Sequence, residues 1–273
     1  MLYKKKTMKI LKFDEFINEN AQKLIINSKD ELRNEIKRII GEDERVEGDT
    51  IDLNHLDVSR VKDMSCLFYP NEDGDDDWDD WDNWFHYFNF DISKWDVSNV
   101  ANMDGMFYDC KYLNCDLSKW DVSNVTSMKG MFYGCEKFNG DLSRWDVSNV
   151  KNMVCMFEYC NKFNCDLSRW DVSKVTNMNL MFSCCKNFSS DLSGWDVSNV
   201  TSMRSMFYGC EKFNGDLSRW DVSNVEDMDL MFYNCKSFKG NLDHWDVRNI
   251  KKRRLYDMFC GSLCKTPSWY HNE

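Results

Sequence analysis

A strict internal repeat of 25 residues constrains this chain more than any other feature. The tripeptide Trp-Asp-Val returns without slippage, and its tryptophans are Trp95, Trp120, Trp145, Trp170, Trp195, Trp220 and Trp245. Methionine, Met-Phe and cysteine positions keep the same period, starting at Met103, Met106 and Cys110. A fixed period of about 20 to 50 residues is typical of chains in which each repeat is one coil stacked on the last.

Each repeat divides into a strand-like part and a helix-like part. Apolar and polar residues alternate around Trp95, which predicts a β-strand over 92–97. Ser98 or Asn99 can then cap a helix. From Met103 to Cys110 the apolar residues are three and four apart, the spacing of a helical stripe. Stacking predicts an α/β solenoid with one parallel sheet and short helices opposite.

Helices are also predicted before the repeats. Apolar residues from Phe13 to Ile25 have helical spacing, and Ser28 with Glu31 forms a capping box before a second helix that ends at Gly41. These helices are expected to form an N-terminal cap. The predicted domains are a basic segment with the helical cap over 1–48, about eight coils over 49–264, and a C-terminal tail over 265–273.

An acidic, aromatic insertion follows the first coil. Leu56 stands where later coils have tryptophan, yet it precedes Trp95 by 39 residues, so the insertion is predicted over 69–86. Three interpretations are open: a solvated loop, a protruding binding loop and a calcium loop. The binding loop would be anchored by Trp78, Trp81 and Trp84. The calcium loop would use Asp73, Asp75, Asp77 and Asp79, although the EF-hand pattern is absent.

Charge and hydropathy exclude several classes of protein. A formal net charge of −11 argues against a nucleic-acid-binding protein, because phosphate contacts need a basic surface. No run of about 18 apolar residues is present, so no transmembrane helix is expected. The first 20 residues lack the apolar segment and the small-residue cleavage site of a secretory signal. A cytoplasmic location is therefore favoured over a surface-exposed one.

The thirteen cysteines are expected to be reduced, and six of them are expected to be core residues. Free cysteine packs as a small hydrophobe, and an odd total favours thiols over disulfides. Six of them occupy one apolar repeat position: Cys110, Cys135, Cys160, Cys185, Cys210 and Cys235. Cys155, Cys160 and Cys165 are five apart and lack the Cys-x-x-Cys spacing of a zinc site. No metal and no cofactor are therefore predicted.

Enzymatic activity is not expected. The histidines His55, His86, His244 and His271 share no register, and no serine or cysteine has a recognisable base. The carboxylates recur at repeat positions, which suits a scaffold better than one acid and one base in different environments. No catalytic residue is predicted.

The repeat resembles a known family of surface proteins. The string FNGDLSRWDVSNV, followed by the MxxMFYGC segment, resembles the BspA-like leucine-rich repeat, in the form also found in the mycoplasma surface-lipoprotein repeat. The resemblance covers about residues 51–259. It implies a right-handed, leucine-rich-repeat-like solenoid used for adhesion or protein binding, and it implies no catalytic residues.

Two charged rows flank the tryptophans. The basic row consists of Lys94, Lys119, Arg144, Arg169 and Arg219. The acidic row consists of Asp96, Asp121, Asp146, Asp171, Asp196 and Asp221. Two interpretations are open for them. One is a neutralised, solvated face with cross-coil pairs such as Arg144 with Asp121 or Asp171; the other is a protein-binding face.

These features predict a non-enzymatic scaffold that mediates protein–protein interaction or adhesion through its sheet face and its acidic aromatic loop. A structural or surface-layer component is one alternative. A calcium-dependent binding module that uses Asp91, Asp116 and Asp141 is another. The expected partner is a protein of unknown identity, without nucleic acid or a membrane span, and a monomer is favoured over an oligomer.

Overall fold

The computed structural model describes residues 23–41, 46–69, 82–250 and 254–270, with the backbone alone for 82–84. Its elements in chain order are β1 (Leu24–Ile25), α1 (Lys29–Gly41), β2 (Thr50–Asp52), β3 (Leu56–Asp57), a 3-10 helix (Asp82–Tyr87) and β4 (Asn89–Asp91). After β4, the described chain runs mainly through turns and isolated bridges.

The predicted α/β solenoid is wrong. The described residues contain one α-helix, α1, and only two small parallel sheets, which pair β1 with β3 and β2 with β4. In the second sheet Ile51 lies opposite Phe90. The strands predicted over 92–97 and at the equivalent positions do not form in the described repeats. The helices predicted after them do not form there either. Consecutive repeats share single parallel bridges at the positions Asp63, Asn102, Ser127, Asn152, Asn177, Ser202 and Asp227.

Tight turns replace the predicted helix of each repeat. The N–H of Met106 donates to the carbonyl of Met103 at 3.2 Å, and the N–H of Cys110 donates to Phe107 at 3.0 Å. Between them, the N–H of Phe107 leaves its own repeat and donates to Met131 in the next one at 2.9 Å. An α-helix would keep all these bonds within itself. The apolar spacing of three and four therefore marks the corners of successive turns.

Bonds between repeats hold the backbone in conformations that its residues disfavour. The turn position with φ 59° at Gly105 is occupied in later repeats by Leu180 and Leu230, each also at φ 59°. A left-handed backbone costs an L-residue about 1 to 2 kcal/mol. The N–H of Leu180 donates to Arg204 of the following repeat at 2.9 Å, which helps to offset that cost. The turn is thus imposed by the neighbouring repeat as well as by local sequence.

The tryptophan row lies in the core and links each repeat to the one before it. Trp170 is 3% exposed, and its Nε1–H donates to the carbonyl of Leu142 in the preceding repeat at 3.0 Å. Its ring lies 6.5 Å from that of Trp195 in the next repeat and is almost parallel to it. Every tryptophan of the row therefore contributes both apolar burial and one hydrogen bond across a repeat boundary.

A second buried row combines cysteine with phenylalanine. The thiol of Cys185 donates to the carbonyl of Phe157 in the preceding repeat at 2.8 Å. The rings of Phe157 and Phe182 are 5.7 Å apart and nearly parallel. The same thiol bond is made by Cys135, Cys160, Cys210 and Cys235.

Helix α1 covers apolar residues at the N-terminal end. It begins as predicted, because Ser28 Oγ accepts a hydrogen bond from the N–H of Glu31 at 3.2 Å. Its own residues Leu32 and Ile36 are completely buried. The first predicted helix is wrong where the structure describes it, since its last residues form β1; residues 13–22 lie outside the described residues.

At the C-terminal end, the tryptophan row extends into the segment predicted as a tail. Trp269 Nε1–H donates to the carbonyl of Leu242 at 2.8 Å. Its ring lies 6.4 Å from that of Trp245. This residue therefore packs as a further member of the row, although it is only partly buried.

Candidate functional site

The basic row lies on the surface of the repeats. All five of its side chains are exposed, and none has a carboxylate oxygen within 4.0 Å among the residues that the structure describes. The pairs considered for Arg144 with Asp121 or Asp171 do not form. Each cation acts instead on the aspartate three residues before it. Hydrogen bonds from Ser118 lower the pKa of Asp116, for example, and the charge of Lys119 lowers it further.

The acidic row closes a turn in every repeat. Asp121 Oδ1 accepts a hydrogen bond from the N–H of Ser123 at 3.0 Å. This serine lowers the pKa of Asp121 through its side-chain and backbone donors. The equivalent bond from the residue two positions later is made to Asp96, Asp146, Asp171, Asp196 and Asp221. The aspartates of the predicted binding row therefore have a structural use, because each fixes the turn after tryptophan.

The asparagine after each of these turns bonds to the preceding repeat. Asn124 Nδ2 donates to the carbonyl of Ser98 at 2.7 Å. Lys174 replaces asparagine in one repeat, and its Nζ donates to Asn149 Oδ1 at 2.7 Å, so the connection between repeats is kept. The polar residues around the tryptophan are thus largely committed to turns and stacking. The basic row is the exception.

The insertion is only partly described. Trp78 and Trp81 lie outside the described residues, as do Asp73, Asp75, Asp77 and Asp79. Trp84 lies on the 3-10 helix, but its side chain is outside the description. The binding loop and the calcium loop therefore stay predictions. Where the insertion returns to the repeats, Phe85 is buried with its ring 5.9 Å from that of Phe68.

A buried histidine lies beside Phe85. His86 Nδ1 is 3.4 Å from Asp109 Oδ2, and Lys111 Nζ approaches the same oxygen at 3.7 Å. Among the described residues, His86 Nε2 has no hydrogen-bond partner. Burial lowers the pKa of His86 against the opposing effect of Asp109. The repeat pattern did not predict this pair. His86 lies in the insertion, and later repeats do not keep aspartate at the position of Asp109.

A partly exposed tyrosine row occupies a different position of the repeat. Tyr108 and Tyr133 stack with ring centroids 4.3 Å apart, and Tyr208 and Tyr233 stack at 5.0 Å. These four residues share one repeat position, and Glu158 and Ser183 replace tyrosine there in the two repeats between the pairs. This interruption is visible in the sequence, but a prediction based on the Trp-Asp-Val tripeptide and its neighbours missed it.

Glu158 is a buried acid with no basic partner. It is 7% exposed, and no described Lys, Arg or His nitrogen lies within 4.0 Å of its carboxylate. Burial raises its pKa, while hydrogen bonds from Cys155 and Ser183 lower it by less. The pKa of Cys155 is raised in turn to about 12, by burial first and then by this carboxylate.

The thirteen cysteines are free in the structure, and the six of the core row are buried. Burial raises the pKa of the thiols in the core row well above the ordinary value, as at Cys110 and Cys185. Such thiols are poor nucleophiles and poor metal ligands because the thiolate is disfavoured. In the described part of the chain, no group of three or more His, Cys, Asp and Glu residues is arranged to hold a metal ion.

Comparison with known proteins places the repeats in a family. A family model named DUF285 and described as "Mycoplasma protein of unknown function" matches residues 82–194 and again 162–266, together about two thirds of the chain. No curated protein and no solved structure matches the chain. Within the described residues, no helix has the length and apolar character needed to cross a membrane. The resemblance to BspA-like repeats thus agrees at the level of the family, although the leucine-rich-repeat fold that it implied is not observed. The chain belongs to the DUF285 family of BspA-like repeat proteins, whose function is unknown.

Proposed function

We propose that this protein is a non-enzymatic scaffold that binds another protein through its basic row. The row consists of Lys94, Lys119, Arg144, Arg169 and Arg219. Its occupant would be an acidic protein surface, on a partner molecule or on a cell to which the protein adheres. Membership of a family of repeat proteins is consistent with such a role, but it does not specify the partner.

One observation carries the proposal. The polar groups around each tryptophan are used within the fold, whereas the five cations are exposed and have no carboxylate within 4.0 Å among the described residues. Repeats that stack through fixed hydrogen bonds hold such side chains at one repeat position, with a single gap at Gly194. Regular spacing suits recognition of an extended, oppositely charged surface.

The absence of an enzymatic role is part of the proposal. The core thiols have strongly raised pKa values, and the aspartates of the acidic row are engaged in turns. His86 and Asp109 approach each other, but the histidine is buried and its pKa is lowered. Catalysis would require a nucleophile or an acid–base pair at an accessible site, and these groups do not offer one.

The test is a charge reversal of the entire row, with all five residues changed to glutamate. Wild-type and variant proteins are immobilised and exposed to a lysate, and captured proteins are identified by mass spectrometry. We expect at least one specific partner with the wild type and its loss with the variant. Far-UV circular dichroism and the melting temperature establish that the variant remains folded.

A matched control separates the row from the general effect of charge. Lys151, Lys162, Lys186, Lys212 and Lys265 are also exposed and lie at other positions of the repeats. Changing these five to glutamate alters the net charge by the same amount. Retention of the partner by this control, together with its loss from the row variant, supports the proposal. Equal binding by the two variants, or no partner with any of the three proteins, contradicts it.

A further inference from the structure

We propose that the interrupted tyrosine row is a second binding site, which accepts a lysine or arginine side chain from a basic segment of a partner protein. The site is formed by Tyr133, Glu158, Tyr159, Ser183 and Tyr208, which we call the tyrosine notch. It lies at a different repeat position from the basic row and has the opposite charge preference. The inference therefore does not rest on the basic row.

The notch is a local departure from a regular pattern. Tyrosine occupies the position in the repeats on both sides, and the smaller Ser183 and the acidic Glu158 occupy it between them. Tyr159, the next residue along the chain, is 43% exposed and packs edge-on against Tyr133 with centroids 5.5 Å apart. Replacing two stacked rings by shorter side chains leaves a carboxylate between aromatic residues.

The neighbouring rings lie within electrostatic reach of this carboxylate. Burial raises the pKa of Tyr133, and the charge of Glu158 raises it further. The pKa of Tyr159 is raised by Cys184 first, then by burial and by the charges of Glu158, Tyr133 and Tyr208. The backbone brings these residues together as well, because the N–H of Tyr159 donates to the carbonyl of Ser183 at 2.8 Å and the N–H of Gly134 donates to that of Glu158 at 2.8 Å.

Charge matching identifies the kind of ligand. Two other acids on this side of the repeats have cationic partners: Asp109 has Lys111 at 3.7 Å, and Asp229 has Arg204 at 3.8 Å. Glu158 has only the neutral donors of Cys155 and Ser183 among the described residues. The charge of Lys129 lowers the pKa of the neighbouring Cys155, but no described cation contributes to the pKa of Glu158.

A cation from outside would complete the site. A buried carboxylate is costly unless it is paired, and a lysine or arginine head group is attracted both to the carboxylate and to aromatic ring faces. The low polarity of the surroundings strengthens the pairing once water is displaced. Tyr159, as the exposed ring, is the residue that such a side chain would meet first.

Sequence variation between repeats fits a recognition role for this side of the molecule. The position of Trp95 and the position of Asp96 are the same in all seven repeats. In contrast, the position that precedes each tyrosine by four residues changes from repeat to repeat, as Asp104, Lys129, Val154, Asn179, Arg204 and Asp229. Asp104, Asn179 and Asp229 accept a backbone N–H of the following repeat, whereas Lys129, Val154 and Arg204 bring other chemistry to the same position.

The experiment uses a fluorescent octapeptide of alternating glycine and lysine, and the same peptide with every lysine acetylated. Fluorescence anisotropy measures binding to the full chain at physiological salt. We expect saturable binding of the basic peptide and none of the acetylated one. Glu158→Gln should weaken binding about fivefold or more, the effect expected from loss of a partly desolvated charge contact.

The control variant is Glu136→Gln, which removes the same charge from an exposed acid at another position. Tyr159→Leu provides a second test, because this exposed ring can be replaced with little effect on folding. We expect Glu136→Gln to bind within about twofold of the wild type and Tyr159→Leu to bind more weakly. Equal effects of the two glutamate changes would show that the peptide is held by general attraction to an acidic protein, and this would overturn the proposal. Absence of saturable binding would overturn it as well. If the wild type captures a partner through the basic row but does not bind the basic peptide, the notch proposal is rejected and the proposed function stands.

Discussion

Replacing the indole of Trp170 by phenyl should destabilise the protein by about 2 to 3 kcal/mol. The indole is 3% exposed, and its Nε1–H donates to Leu142 at 3.0 Å. That carbonyl also accepts the N–H of Trp145 at 3.1 Å, so it keeps one partner. Loss of the indole bond therefore costs about 1 kcal/mol, and the smaller ring adds about 1 to 2 kcal/mol through lost packing.

The assay is urea unfolding of Trp170→Phe and the wild type, followed by circular dichroism. Trp269→Phe is the matched control, since the same bond is made to Leu242 at 2.8 Å by an indole that is only partly buried and lies at the end of the row. We expect the central change to cost at least twice as much as the terminal one. A loss below about 0.5 kcal/mol at Trp170, or equal losses at the two positions, would refute the role assigned to the tryptophan row.

Three further predictions concern ionisation and thiol chemistry. In the folded protein, Cys260 should react first with a thiol reagent, because it is more exposed than the other twelve cysteines. The buried thiols should react only after denaturation, and fast reaction of several thiols would contradict this. Glu158→Gln should raise the melting temperature at pH 7. Because the pKa of Glu158 is raised in the folded protein, the folded state binds the proton more tightly than the unfolded state, and stability is lost as pH rises through the folded pKa. Glutamine carries no charge at any pH, so the difference in melting temperature between the variant and the wild type should vanish below the ordinary carboxyl pKa. Asp171→Ala should lower the melting temperature at pH 7. Hydrogen bonds from Ser173 lower the pKa of Asp171, so its contribution is present at neutral pH and is lost as pH falls through the lowered pKa; melting curves at pH 7 and about pH 2 test both statements.

The sequence was sufficient to locate the core but not to define the backbone. The burial of Trp170 and Cys185 follows from their place in strictly repeated apolar rows. The turn after Met103 could not be recognised, because apolar residues three and four apart fit both a helix and a series of turns. What separates the two is the destination of the N–H groups, such as that of Phe107, which depends on the next repeat.

Helix α1 illustrates the opposite case. Its start is determined by a local interaction, the capping bond from the N–H of Glu31 to Ser28, so the sequence was enough to predict it. The left-handed backbone at Leu180 has no local signal, since leucine disfavours that conformation and only the bond to Arg204 explains it. Elements specified by neighbours in sequence were predictable, and those specified by the neighbouring repeat were not.

The candidate sites follow the same division. The basic row could be located because Lys94 and its equivalents recur beside tryptophan, and its binding role stays a prediction. The structural use of Asp121 and the other aspartates depends on turn geometry, which the strand prediction concealed. Glu158 was missed because the search was for residues that recur in every repeat, and Glu158 stands where the repeated tyrosine is absent.

The most direct test of the proposed binding function is lysine acetylation of the protein alone and in complex with the partner captured by the wild type, with mass spectrometry to measure modification at each lysine. Lys94 and Lys119 belong to the basic row, whereas Lys162 and Lys212 are exposed at other positions. We expect the partner to protect Lys94 and Lys119 and to leave Lys162 and Lys212 as reactive as before. Unchanged acetylation of Lys94 and Lys119 in a fully formed complex would contradict binding through the basic row.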